Sequence, residues 1–206
     1  MLRIRHFRRV FIVRWLASLH FALRDRARVH PEALIDGNWK SMELGRGTKI
    51  GRDTIITLAP EARLFVGPAV WISHGVEIET AAMISVGAGT SIQRRATING
   101  SVKIGEGCIL APNVFISSGT HPFREIPELT IREQERFIRE KEGSLDSLDS
   151  PIEIGPDCWL GINVVVCPGV RIGKGVVIGA NSVVTSDVED FSVVAGMPAR
   201  KIGSRF

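Results

Sequence analysis

The amino-acid sequence predicts an all-β chain wound as a parallel β-helix, and three observations support this prediction. Aliphatic residues recur at every sixth position over two long stretches, residues 86–116 and 154–184. A small or β-branched residue usually follows four positions later, and Gly often comes directly after the aliphatic residue. Each unit of six residues then supplies one short strand and one turn, and three units close a triangular coil. A β-sandwich would show a period of two instead.

The two long series are unbroken and are separated by one interruption. The first consists of Val86, Ile92, Ile98, Ile104, Leu110 and Ile116, and the second of Ile154, Leu160, Val166, Ile172, Ile178 and Val184. Shorter series run from Leu44 to Ile56 and from Val66 to Ile78. We expect these side chains to point into a narrow core, with successive coils stacked at about 4.8 Å. Cys108 and Cys158 occupy the small interior position and are expected to be core residues.

The N-terminal residues 1–30 form a basic arm. Eight arginines against one aspartate give this arm a charge of +7, and the whole chain carries +4, so the rest carries −3. A mildly acidic body argues against nucleic acid as its partner. Within residues 1–25 the apolar residues have helical spacing, which predicts an amphipathic helix. Two roles stay open and can coexist: the helix caps the first coil, or it lies on an anionic membrane face.

Two further features bear on the location of the protein. The apolar stretch from Val10 to Leu23 is interrupted by Arg14 and His20 and is too short to span a bilayer, which needs roughly 20 residues. It also lacks the features of a convincing signal peptide. The three cysteines show no pairing pattern, as expected of reduced thiols. We therefore expect a cytoplasmic protein, with association at the inner face of the membrane as the alternative for the arm.

A long excursion, residues 122–151, separates the two series. Thr130 and Glu133 form a capping box, and Gly143 is a plausible stop, so a helix is predicted from Thr130 to Lys141. A long loop that leaves a regular solenoid is usually functional. The predicted organisation is an arm over residues 1–30, a β-helix domain over 31–202 that includes the excursion, and a tail over 203–206.

His121 is the strongest candidate for chemistry because it stands where the first series ends and the excursion begins. An imidazole with an ordinary pKa near 6.5 suits proton abstraction at neutral pH. Taken alone, such a histidine is more often structural. His74 also lies at a coil corner, but no acid is paired with it in sequence, so a surface or capping role is favoured there.

Three segments carry a family resemblance. They are APNVFISSGTHPF (111–123), IGPDCWLGINVVVCPGVRIGKGVVIGANSVVT (154–185) and VVAGMPARKIG (193–203). From Val86 to Ile202 the chain resembles the hexapeptide-repeat acyltransferases, which fold as left-handed β-helices. It is most similar to galactoside, maltose and nodulation O-acetyltransferases and to bacterial polysaccharide O-acetyltransferases. The resemblance implies acetyl transfer from acetyl-CoA to a hydroxyl in a ternary complex. It also implies a homotrimer whose active sites lie between subunits.

The resemblance assigns roles to individual residues. His121 matches the general base, and its orienting partner is left open, with a backbone carbonyl as one option. The positions matching the coenzyme A site are Trp159, Gly161, Ala180, Thr185, Ser186 and Arg200, the last of them near the nucleotide phosphates. By register, the acceptor-binding positions of the galactoside enzymes correspond to Ser91 and Asn99. Both residue types differ from the galactoside pattern, which puts a galactoside acceptor in doubt.

The predicted function is therefore acetyl-CoA-dependent O-acetylation of a sugar or polysaccharide, including a lipid-linked glycan. The alternative is N-acetylation of an amino sugar or an antibiotic, and a third possibility is a non-catalytic trimeric scaffold. A zinc-dependent carbonic anhydrase of this fold would need three histidines on adjacent coils, so no metal is predicted. A covalent route through Cys167 is disfavoured because no histidine is placed beside it.

Overall fold

A three-sided column of stacked coils forms the body of the protein. The structure, a computed structural model, describes residues 14–206, so residues 1–13 of the predicted N-terminal helix lie outside the described residues. Each coil contributes one short strand to each of three parallel sheets, which are named here the first, second and third faces. The sequence-predicted period of six is thereby confirmed, because the strands on one face recur every third unit.

The strands are numbered along the chain. The first face holds β1 (Arg28–Val29), β4 (Lys49–Ile50), β7 (Trp71–Ile72), β10 (Ser91–Ile92), β13 (Ile109–Leu110), β16 (Trp159–Leu160), β19 (Val177–Ile178) and β21 (Ser192–Ala195). Strand β22 (Arg200–Ser204) pairs antiparallel with β21 and ends this sheet. The second face holds β2 (Leu34–Asp36), β5 (Ile55–Leu58), β8 (Glu77–Thr80), β11 (Thr97–Asn99), β14 (Phe115–Ser117), β17 (Val165–Val166) and β20 (Val183–Val184). The third face holds β3 (Met42–Leu44), β6 (Arg63–Val66), β9 (Met83–Val86), β12 (Val102–Ile104), β15 (Ile152–Ile154) and β18 (Arg171–Ile172).

The core is a set of aliphatic columns that run along the axis. Neighbouring strands pair in register, so the inward residues lie directly above one another, as Ile98 does over Ile78 and Ile116 over Ile98. The repeating aliphatic residues of both long series are buried, and Cys108 and Cys158 are buried with them, as predicted. Burial of one such side chain stabilises the fold by roughly 1.5–3 kcal/mol. The six-residue pattern is therefore the pattern of the core.

The excursion leaves the second face after β14 and returns to the third face at β15. It contains helix α2 (Ile131–Glu142), whose N-cap is Thr130 with both hydrogen bonds of the capping box. Gly143 ends the helix in the left-handed conformation at φ +79°. Both signals predicted from the sequence are confirmed. Residues 144–150 contain a 3₁₀ turn (Asp146–Leu148), and Asp149 bridges antiparallel to Gly119.

Residues 14–24 are helical, named α1, and this helix packs on the open end of the first coil. Ala17 and Phe21 are buried and belong to the same hydrophobic core as the coils. A second 3₁₀ turn (Trp39–Ser41) lies beside it, and the ring of Trp39 lies 6.3 Å from that of Phe21. The capping role proposed for the arm is thus seen in this part of it. None of the helices described between residues 14 and 206 has the length and hydropathy needed to cross a membrane.

Candidate functional site

His121 lies just outside the coil, four residues beyond β14 at the corner between the second and third faces. Its side chain is 70% exposed, so a ligand can reach the ring. One ring nitrogen, Nδ1, lies 2.5 Å from Oε1 of Glu135, which projects from α2. The excursion therefore folds back over the corner and brings an acid to the histidine.

Both carboxylate oxygens of Glu135 have hydrogen-bond partners. Its side chain is only 12% exposed, and Nη1 of Arg132 donates to Oε2 at 2.8 Å. The hydrogen bond from Arg132, followed by that from His121, lowers the pKa of Glu135 below its usual range. The carboxylate is therefore ionised at neutral pH and can only accept hydrogen bonds. Consequently Nδ1 of neutral His121 carries its proton, and the lone pair is on Nε2.

Such a pair can act as a general base. A fixed acceptor on Nδ1 holds the imidazole in one tautomer and stabilises the cation that forms when Nε2 takes a proton. The sequence did not reveal this partner, because α2 carries several glutamates and no local pattern singles out one of them. The one available signal is the helical stripe of Gln134, Glu135 and Ile138, which are the buried residues of α2.

The base of the excursion is tied to the coil below it. The N–H of Ser118 donates to the carbonyl of Asn99 at 3.2 Å. The hydroxyl of Ser118 accepts from the N–H of Ser101 at 2.7 Å and donates to a carboxylate oxygen of Asp149. Asn99 also pairs in register with Ser117. The structure thus places Asn99, a predicted acceptor residue, one coil below the segment that carries His121.

Ser91 lies elsewhere in the same chain. It belongs to β10 on the first face, where it pairs in register with Trp71 and Ile109. The first face is opposite the corner that carries His121, so one chain alone does not bring these two residues together. Ser91 shares its column instead with Trp159, which stacks on Ile109 one coil further on and is 53% exposed.

The remaining residues predicted to contact coenzyme A lie on two corners and at the end of the coil. Gly161 and Ala180 occupy the corner between the first and second faces, following β16 and β19. A Cβ on Gly161 would lie 2.7 Å from the backbone N of Ala180, so close coil stacking by itself requires glycine there. Thr185 and Ser186 are exposed at the corner between the second and third faces, and Arg200 is exposed on β22.

The two core cysteines are fully buried, so a ligand does not reach either sulfur. Cys108 and Cys158 donate their S–H groups to the carbonyls of Gly155 at 3.2 Å and Gly173 at 3.0 Å. The neighbouring Cys108 and burial raise the pKa of the Cys158 thiol above its usual range. Within residues 14–206, no group of three or more His, Cys, Asp or Glu side chains is arranged to hold a metal ion.

Comparison with known proteins gives the family. The model of the bacterial transferase hexapeptide (six repeats) matches residues 83–118 and 151–186, which are the coils on either side of the excursion. Among curated proteins, the galactoside O-acetyltransferase of Escherichia coli K12 is 35% identical over 148 residues, 71% of this chain and 66% of that protein. The putative lipopolysaccharide biosynthesis O-acetyl transferase WbbJ of the same organism is 39% identical over 103 residues, 50% of each chain.

The solved structures agree with the sequence matches. A galactoside acetyltransferase in complex with coenzyme A superposes with a TM-score of 0.53 at 30% identity, covering 68% of this chain and 64% of that one. The matched segments thus span from half to about two thirds of these relatives. The repeat, the three-sided coil and these matches agree, and we conclude that the chain belongs to the hexapeptide-repeat acyltransferase family and has its left-handed parallel β-helix.

Proposed function

We propose that this chain is an acetyl-CoA-dependent O-acetyltransferase of a sugar or polysaccharide hydroxyl, such as that of a lipid-linked glycan, with His121 as the general base. The observation that carries the proposal is the exposed imidazole whose Nδ1–H is held by Glu135 at 2.5 Å. Two relatives named as O-acetyltransferases, one of galactosides and one putatively of lipopolysaccharide biosynthesis, support the choice of acceptor class.

The proposed reaction is a direct transfer. Nε2 of His121 takes the proton of the acceptor hydroxyl while its oxygen bonds to the carbonyl carbon of the thioester. The tetrahedral intermediate then expels the coenzyme A thiolate, and the imidazolium returns the proton to that sulfur. Glu135 stabilises the imidazolium between these two steps. Positioning both substrates in one ternary complex supplies a large part of the rate.

We further propose that the working unit is a trimer. Gly161 and Ala180 lie at one corner of the coil, whereas Thr185, Ser186 and His121 lie at the next. A ligand between two copies would meet the first corner of one subunit and the second corner of its neighbour. This arrangement also allows Ser91 and Trp159, on the first face, to approach a neighbouring subunit's His121.

The test is acetyl-CoA turnover by the wild type and by His121→Ala against a panel of neutral glycans, lipid-linked glycans and amine acceptors. We expect kcat to fall about 10²- to 10⁴-fold in His121→Ala, the range that a general base contributes. His74→Ala, which changes an exposed histidine at another coil corner, is the matched control and should keep full activity. Undiminished turnover in His121→Ala would reject the assignment, and turnover confined to amines would replace the hydroxyl acceptor with an amine.

We also propose that α1 adds contact with an anionic membrane surface, which suits a lipid-linked acceptor. Leu16, Leu19 and Leu23 are exposed on α1, and Leu23 is 75% exposed. Together with Ala27 and Val29 of the first coil, α1 borders an apolar groove of about 760 Å³. The eight arginines within residues 1–28 provide the charge that is complementary to anionic lipid.

A further inference from the structure

A column of polar side chains runs parallel to the coil axis along the corner between the first and second faces. At the same position of four successive coils stand Arg95, Asn113, Asn163 and Asn181. All four have left-handed backbone conformations with φ between 57° and 61°. Asparagine tolerates this conformation better than most residues, so local geometry accounts for the three asparagines. It does not account for the hydrogen bonds between the side chains.

The side chains form a continuous ladder. Nε of Arg95 donates to Oδ1 of Asn113 at 3.1 Å, and Nδ2 of Asn113 donates to Oδ1 of Asn163 at 2.8 Å. Nδ2 of Asn163 in turn donates to Oδ1 of Asn181 at 2.8 Å. Each asparagine oxygen has two lone pairs and each amide nitrogen two hydrogens, so every rung keeps bonding capacity. Asn163 and Asn181 are exposed, which leaves that capacity open to a ligand.

The ladder runs beside the two corner positions that the proposed coenzyme A site uses. Asn163 follows Gly161 by two residues, and Asn181 directly follows Ala180. Strand β21 lies one coil above Asn181, and Arg200 of β22 pairs with Ala195 of β21. One coil above Arg95, which is the lower end of the ladder, Asn113 precedes β14 in the coil from which His121 emerges. The ladder therefore connects the level of Arg200 with the level of His121.

The spacing of the ladder fits the pantetheine arm of coenzyme A. Stacked coils repeat at about 4.8 Å, so the level of Arg200 lies about 14 Å above that of Asn113. The arm, from phosphate oxygen to sulfur, also reaches about 14 Å when extended, at roughly 3.6 Å per three bonds. Its two amide nitrogens are about 5 Å apart in an extended chain, which is close to one coil repeat.

We propose that Asn113, Asn163 and Asn181 form a rail of side-chain amides that binds the two amide groups of pantetheine. This inference rests on the proposed acetyl-CoA-dependent function and adds residues to its site. Arg95 closes the lower end of the rail and orients Asn113. When the phosphates of coenzyme A lie near Arg200, pantetheine bound along the rail places the thioester at the level of the coil from which His121 emerges. In a trimer whose axis parallels the coil, the neighbouring subunit's base lies at that same height.

The experiment compares two ligands on the full chain. Isothermal titration measures the Kd of coenzyme A and of adenosine 3′,5′-bisphosphate, which lacks pantetheine. The variant Asn163→Gly/Asn181→Gly removes two rungs, and glycine accepts the positive φ of both positions. Loss of two hydrogen bonds should weaken coenzyme A binding about 10-fold and leave the Kd of adenosine 3′,5′-bisphosphate unchanged. The control is Asp53→Gly, which changes a left-handed residue at φ 56° on the same corner, below the ladder.

A second variant addresses the risk that the glycines weaken the fold. Asn181→Asp still accepts the hydrogen bond from Asn163 but has no amide hydrogens to donate, so it should also weaken coenzyme A binding selectively. Unchanged coenzyme A affinity in both variants would overturn the inference, as would an equal loss for both ligands. A wild type that binds neither ligand would instead refute the proposed function itself, and the inference with it.

Discussion

Nδ1 of His121 lies 2.5 Å from Oε1 of Glu135, and both residues belong to the same excursion from the coil. The histidine and its acid therefore lie in one folded unit, which contains the capped helix α2. Arg132, one helical turn before Glu135, donates to this carboxylate and lowers its pKa.

Replacement of Glu135 should reduce turnover without affecting binding of acetyl-CoA. In Glu135→Ala the imidazole loses its fixed tautomer and the charge opposite the imidazolium, so we expect kcat to fall about 100-fold. Glu135→Gln keeps an oxygen acceptor for Nδ1–H but lacks the charge, so it should retain more activity than the alanine variant. Steady-state kinetics at saturating acceptor measures both, and the KM for acetyl-CoA should not change.

The matched control for these variants is Glu140→Gln, which changes an exposed glutamate on the same helix. It should behave as the wild type. Equal loss in all three variants would mean that the effect comes from the stability of α2. Full activity in Glu135→Ala would show that His121 needs no orienting carboxylate.

Arg132→Gln should raise the pKa of Glu135. The hydrogen bond from Arg132 is the largest cause that lowers this pKa, and the bond from His121 is the next, so part of the depression should remain. The pKa of Glu135 is lower in the folded than in the unfolded protein. Ionised Glu135 therefore stabilises the fold at pH values above its unfolded pKa, and this contribution is lost as the pH falls through its folded pKa. Carboxyl NMR of ¹³C-labelled glutamate measures the titration directly. An unchanged midpoint in the variant would contradict the assigned cause.

The fold was predictable from the sequence because its core is a simple period. Ile98 and Ile116 belong to the series that recurs every six residues, and they stack in register. No long-range information is needed to recognise that series. The ends of α2 could also be predicted from local sequence, since Thr130, Glu133 and Gly143 are capping residues. The pairing of His121 with Glu135 was not predictable, because it depends on how fourteen residues of excursion fold back over a corner. The distribution of the candidate site residues over two corners likewise becomes visible only in the wound coil.

Ser118→Ala should destabilise the protein because it removes the anchor of the excursion. Ser118 is fully buried, and its hydroxyl bonds both the N–H of Ser101 and the carboxylate of Asp149. The variant leaves the half-buried N–H of Ser101 and the half-buried carboxylate of Asp149 without this partner, which together costs about 1–3 kcal/mol. Urea denaturation measures the free energy of unfolding. Ser144→Ala, in the same excursion but accepting only a long bond from the N–H of Asp146 at 3.3 Å, is the comparison and should cost less than about 0.5 kcal/mol.

Gly161→Ala should separate the structural role of this residue from a role in binding. The added Cβ would lie 2.7 Å from the N of Ala180 and 2.9 Å from the O of Ile178, so the coil above must shift. Overpacking of this kind costs about 1–3 kcal/mol. Gly119→Ala is the control, because no atom lies within 4 Å of its Cβ position. Equal urea midpoints for the two variants would contradict the close stacking, and a loss of coenzyme A affinity at unchanged stability would favour a binding role.

Leu19→Glu/Leu23→Glu should abolish binding to anionic vesicles without unfolding the coil. Both side chains are exposed on α1, so charge there does not disturb the core, whereas it opposes insertion of the helix among lipid acyl chains. Flotation with vesicles of phosphatidylglycerol and phosphatidylcholine measures the bound fraction, and pure phosphatidylcholine should bind less of the wild type. Met83→Glu, which charges an exposed apolar residue on the third face, is the control and should float as the wild type does.

Wild-type flotation of the double variant would reject the membrane surface as the partner of the exposed face of α1. A change in its oligomeric state by light scattering would point instead to a second copy of the chain on this face.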